Sequence, residues 1–184
     1  MSKNFPGTTV EVLNMKKGSS RTLFDGIFAA GGITLSQVSV MTGLEPYQIQ
    51  NWVKRGFVTS PVKRLYSKRQ FARIVIINML RESLQIEKIC ELIKIIGGDP
   101  YDDSDNLIFD DELYHCYVDM MAEHNIRVLD EETVKQATAH AAAGCEERIP
   151  NGAKQLSHIL QVMVYAHAAS ELRKKSDEIF GTLQ

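Results

Sequence analysis

The chain has 184 residues, 44% hydrophobic and 24% charged, with a formal net charge of −2. A chain of that length can bury a core without disulfide support, and its composition is that of an ordinary globular protein, so disorder is not the default. The small net charge hides an asymmetry: residues 1–98 hold 14 Lys+Arg against 6 Asp+Glu, and residues 99–184 hold 7 against 17. Such a split predicts two modules, the basic one facing a polyanion.

The first twenty residues, with Pro6, Gly7, Gly18, Ser19 and Ser20, show little periodicity and read as a loose arm or irregular lead-in. Residues 21–30 read as a short helix closed by Gly31 and Gly32. A helix from Thr34 follows, turning Leu35, Val38, Met41 and also Val40 inward, and Thr42-Gly43 supplies a turn. Pro46 suits the first position of the next helix, in which Ile49, Trp52 and Val53 make the buried stripe; Gly56 ends it. Phe57-Val-Thr and Val62–Tyr66, around Ser60-Pro61, predict a β-hairpin wing. Ser67 caps a nearly continuous apolar helix from Lys68 to about Ser83, and Gln85–Ile96 makes another. Residues 97–106, GGDPYDDSDN, read as a linker. Beyond it, 110–124, 130–146 and 152–182 read as three helices. The last is apolar on several faces from Leu156 to Ala169, as for a helix enclosed by its own domain or by a second chain.

These elements predict a mostly α fold in four parts. Residues 1–32 form an N-terminal arm with a short helix, and 33–98 a winged helix-turn-helix domain with a small hairpin wing. Residues 99–109 are a linker, and 110–184 an all-α region for dimerisation or effector binding.

The stretch GLEPYQIQNWVKRGFVTSPVKRLYSKRQF, residues 43–71, carries the functional signal. Its apolar residues are spaced as a small core, the gaps hold Lys, Arg, Gln, Asn and Tyr, and Glu45 is its one carboxylate. A helix fits the major groove of DNA, where such side chains reach base edges, while a basic hairpin neutralises phosphates. With Ile49, Trp52 and Val53 inward, Tyr47, Gln48, Gln50, Asn51, Lys54 and Arg55 are left for DNA. Lys63 and Arg64 are the wing's electrostatic candidates, and Lys68, Arg69 and Arg73 extend the basic surface.

The order of these features resembles the MerR family: Thr42-Gly-Leu44 for the turn, Ile49-Gln-Asn-Trp52 for the second helix, then Gly56-Phe-Val, Arg64-Leu-Tyr66-Ser67 and Ile86-Glu-Lys-Ile89. The resemblance covers roughly residues 33–96 and implies a DNA-binding winged helix in dimeric transcription regulators. The chain also looks like an uncharacterised bacterial family that joins a MerR-like head to a helical tail. Two departures stand out. Gln50 and Val53 replace the Arg and Glu common in MerR proteins, and Gly97-Gly98 stops the chain where those proteins run into one long dimerising helix.

The acidic half offers weaker signals. Glu112-Leu-Tyr-His115 has the ExxH spacing of di-iron bundles, but those sites need the motif twice. Cys116 and Cys145 read as small buried apolar residues, and His158 and His167 as core histidines on the enclosed last helix. No nucleophile–base pair, P-loop or GxGxxG occurs, so no catalytic residue, cofactor or metal ligand is assigned, and an enzyme is not expected. The three cysteines are odd in number and form no CxxC pair. No leader segment opens the chain, and no apolar run reaches the ~18 residues of a membrane span, so a cytoplasmic protein off the membrane is expected.

The reading is a bacterial, sequence-specific regulator of transcription that binds double-stranded DNA as a homodimer, with C-terminal helices that dimerise the chain, bind a small-molecule effector, or both. The alternatives are an architectural, excisionase-like DNA protein, and a helical enzyme or metal-binding protein whose head tethers it to DNA.

Overall fold

The computed structural model describes residues 4–97, 103–124 and 126–183. The fold is mostly helical, with one small antiparallel sheet. Helix α1 (Ser19–Ile27) follows Gly18, whose left-handed φ of 78° turns the chain into it. Strand β1 (Ile33–Thr34) leads into α2 (Leu35–Thr42), where Thr34 and Gln37 form a reciprocal capping box. Helix α3 (Pro46–Lys54) begins with its proline at the first position, and Gly56, at φ 76°, ends it. Strand β2 (Leu65–Tyr66) is followed by α4 (Lys68–Leu80), capped by Ser67 and Gln70 as the sequence suggests. The remaining helices are α5 (Ile86–Gly97), α6 (Asp110–Glu123), α7 (Glu131–Ala143) and α8 (Gly152–Gly181).

The strand pairing differs from the expected hairpin. Ile33 lies opposite Tyr66 and Thr34 opposite Leu65, so β2 pairs with β1 and not with residues 57–59. The 57–59 segment is committed elsewhere. The backbone N–H groups of Phe57 and Val58 bond Trp52 O, the Val58 side chain is buried, and Gln70 Nε2 donates to Thr59 O and Ser60 O. What remains of a hairpin is the tight turn 62–65, in which Val62 and Leu65 exchange both backbone hydrogen bonds.

Residues 4–18 are irregular as expected, but they are not loose. Phe5 is buried, Tyr114 Oη donates to Pro6 O at 2.9 Å, and Asn78 Nδ2 donates to Gly7 O and Thr42 O, each at 2.9 Å. Gly7 is required there: its φ is 72°, and a Cβ would sit 2.4 Å from Val75 O.

Helix α4 is the centre of the molecule. Eight of its residues are buried, from Phe71 to Leu80, and it packs on α2, α6 and α8. One continuous apolar cluster runs from Phe5 through Phe71, Ile93 and Tyr114 to Ala166. Of the stretch read as a linker, residues 98–102 lie outside the described residues, 103–105 form a short 3-10 turn, and Asn106, Leu107 and Ile108 are buried. Leu107 N–H donates to Ile96 O at 2.9 Å, which ties this stretch to α5. Val40, read as inward, is exposed, as is His158, read as a core histidine. Among the described residues no helix is long and apolar enough to cross a membrane.

Candidate nucleic-acid interface

Helix α3 buries Ile49 and Trp52 and half-buries Val53, which fixes what its other faces present. Tyr47, Gln50, Asn51, Lys54 and Arg55 are exposed. Gln48 is half-buried and serves the helix itself, its Oε1 accepting from Glu45 N–H at 3.0 Å. Tyr47, Asn51 and Arg55 share a shallow hollow of about 330 Å³ with Arg81 and Ile86. The Arg55 guanidinium lies 4.5 Å over the Phe57 ring, with Glu87 3.8 Å away.

Among the described residues, the turn 62–65 is where two successive non-glycine residues take positive φ. Its two central residues, Lys63 (φ 50°) and Arg64 (φ 66°), are both left-handed and both exposed. Gly dominates two-residue turns of this kind because it has no Cβ, and Asn is tolerated because its short side chain can hydrogen-bond locally; for other residues the conformation costs roughly 1–2 kcal/mol. Two successive basic residues are held in this conformation, and Gln70 ties down the residues just before the turn, Thr59 and Ser60.

The remaining candidates lie at the start of α4 and differ from one another. Lys68 Nζ donates to Asp25 Oδ1 at 2.7 Å and holds that carboxyl below its usual range. The Arg69 guanidinium stacks 3.6 Å over the Phe109 ring, which Arg148 also covers at 4.1 Å. Arg73 does not extend the surface. Its Nε donates to both carboxylate oxygens of Asp110, at 3.0 and 3.2 Å, and its side chain is only 15% exposed. A cleft of about 540 Å³ opens between the 62–65 turn and the start of α6, with Lys63, Arg69 and Arg73 on its wall and Asp110 opposite.

The acidic half brings together residues the sequence left apart. His115 is 2% exposed, and its Nδ1 meets Ser20 Oγ at 2.9 Å; burial first, then the Arg21 and Lys68 cations, depress its pKa to about 4. Glu112 faces Arg21 at 3.2 Å, so the two residues of the ExxH spacing have different partners. Among the described residues no group of three His, Cys, Asp or Glu side chains comes within reach of one metal ion. Cys116 and Cys145 touch, their Sγ atoms 3.2 Å apart. The hydrogen bond between them and burial push the Cys116 thiol well up, and the same bond draws Cys145 down. His167 is half-buried against the Tyr117 hydroxyl at 2.8 Å, and burial lowers its pKa.

Sequence reading missed the left-handed turn and Arg81. A turn signal at 60–61 was visible, but nothing in Val-Lys-Arg-Leu marks positive φ. Arg81 follows α4 in sequence and reaches the α3 hollow only through the fold.

A family described as "Domain of unknown function (DUF1836)" matches residues 33–117, a little under half of the chain. The matched segment takes in β1 to α5 and ends inside α6, at Tyr117, past the Asp110 that holds Arg73. No curated protein and no solved structure matches the chain.

Proposed function

We propose that this chain is a sequence-specific, double-stranded-DNA-binding regulator of transcription with a MerR-like winged helix-turn-helix head. Helix α3 enters the major groove with Gln50, Asn51 and Lys54, and the 62–65 turn acts as the wing, setting Lys63 and Arg64 against phosphates. Two copies bind together, because one such head covers little DNA and paired half-sites double the contacts. The helical region past residue 110 joins the copies, and the protein works in the cytoplasm. The observation that carries this reading is the pair of basic residues held at positive φ on an exposed two-residue turn. Arg73 is left out of the interface, because Asp110 engages it.

The test is selection of bound duplexes from a random pool, with the winners titrated against salt. A repeated, roughly palindromic site is expected, with affinity falling ~10³–10⁵-fold between 50 and 200 mM salt for 6–10 phosphate contacts. Strong bending without an enriched sequence would favour an architectural protein. No binding at low salt would end the reading.

A further inference from the structure

We infer that the outer edge of α8 is a seam on which a second copy of this chain packs, helix against helix. This deepens the two-copy part of the reading proposed above and rests on it. The helix carries two separate apolar stripes. The inner one, with Leu156, Ile159, Leu160, Met163, Val164 and Ser170, is buried against the body of the molecule. The outer one runs through Val162, Tyr165, Ala169, Leu172 and Ile179, with the small polar Ser176 between the last two and Leu183 continuing it just past the helix end; all seven are exposed.

The spacing of the outer stripe alternates three and four residues over its whole length. That is the 3.5-residue period by which one helix meets another along a shared axis, rather than the 3.6-residue drift of a stripe facing a globular core. No charged residue falls on it. The charges of this stretch lie to the side, where Lys174 Nζ bonds Glu171 at 3.1 Å and Lys175 Nζ bonds Glu178 at 3.2 Å along the same helix.

Beyond Ser170 the helix leaves the body: residues 172–183 are exposed on every side, and Arg173 ties it back to Glu82. Ten helical residues, 172–181, therefore extend past the docked part of α8 with little of the tertiary packing from which most helical stability comes. The stretch 172–183 also carries Leu172 at 67% exposure, Ile179 at 54%, Phe180 at 63% and Leu183 at 77%. Val162 and Tyr165 are exposed as well, at 42% and 39%, and Phe180 lies beside the stripe. An exposed apolar strip rimmed by charged residues is the kind of surface that marks a protein–protein contact. A copy of the same helix supplies the same uncharged 3.5-period stripe, so the seam is complementary to itself, as a two-fold interface requires.

Sedimentation of the full chain tests this. A mass near twice the 20.7 kDa chain is expected at micromolar concentration. Leu172→Glu and Ile179→Glu, each placing a charge on the seam, should weaken self-association by roughly tenfold or more. Asp177→Lys, off the seam, should leave it unchanged, with circular dichroism confirming that all three variants keep their helix content. A monomeric wild type, or seam variants that associate as tightly as wild type, would overturn the inference. The DNA selection is scored separately. A monomer that enriches a single unrepeated site removes the seam and leaves the reader of DNA standing. A dimer broken by Leu172→Glu that enriches no sequence does the reverse.

Discussion

Arg73 and Asp110 face each other across the α4–α6 contact, the guanidinium Nε 3.0 and 3.2 Å from the two carboxylate oxygens, with both side chains nearly closed to solvent. Burial pushes the Asp110 carboxyl up, and Arg73 offsets only part of that rise. Removing one partner leaves the other charge buried, which typically costs about 3–5 kcal/mol, whereas an apolar pair of similar volume can be nearly neutral. Urea unfolding of Arg73→Ala or Asp110→Ala should show a loss on that scale, and the double variant Arg73→Met with Asp110→Leu should recover most of it. An Arg73→Ala protein as stable as wild type but weaker on DNA would return Arg73 to the interface.

The 62–65 turn makes stability and binding move in opposite directions. Arg64→Gly relieves a left-handed side chain and should raise stability by about 1 kcal/mol in chemical denaturation. The same change should weaken DNA binding and lower the slope of affinity against salt by about one, as for the loss of one phosphate contact. A stabilised protein with an unchanged salt slope would show that Arg64 serves the turn and not the nucleic acid.

His115 gives the fold an acid-sensitive joint. In the unfolded chain its imidazole takes a proton near pH 6.5, but in the fold only near pH 4. Between those values the unfolded state binds more protons, so its contribution is full above about pH 6.5 and is lost as the pH falls toward 4. The loss should be about 2 kcal/mol after discounting for solvent screening. Urea midpoints between pH 7 and pH 4 measure it, and His115→Gln should flatten the profile.

Gly7→Ala should be among the most damaging small substitutions. The added methyl meets a backbone oxygen at 2.4 Å and a φ of 72° disfavours it, so the arm has to shift and release Phe5 from the core. A loss of more than about 2 kcal/mol is expected. If the melting temperature does not change, the arm is not part of the folded unit.

Among the thiols, Cys145 should alkylate first at neutral pH, since it is half-exposed and lowered by its contact with Cys116, while burial raises Cys90. Mass mapping after brief iodoacetamide treatment gives the order.

Much of this fold was legible because it is local. Pro46 at a helix start, Gly56 at a helix end, Ser67 as a cap and the Ile49–Trp52 stripe each depend on a few adjacent residues. The parts that were not legible are set by distant partners. Strands of two residues carry no periodicity, so the pairing of Ile33 with Tyr66 leaves no mark in the sequence, and the hairpin expected at 57–66 was the nearer solution. The arm looked loose because its order comes from Tyr114 and Asn78. Arg73 looked like one more cation of the basic stretch, because Asp110 lies 37 residues on.

Because α4 buries itself against α2 on one side and against α6 and α8 on others, the basic and acidic halves share a wall. A chain cut after α5 would leave the buried side chains of α4 with part of their cover gone. The head is therefore no portable cassette. Any lineage that exchanges it among tails, or any engineer who grafts it, has to carry α6 with it or rebuild that wall.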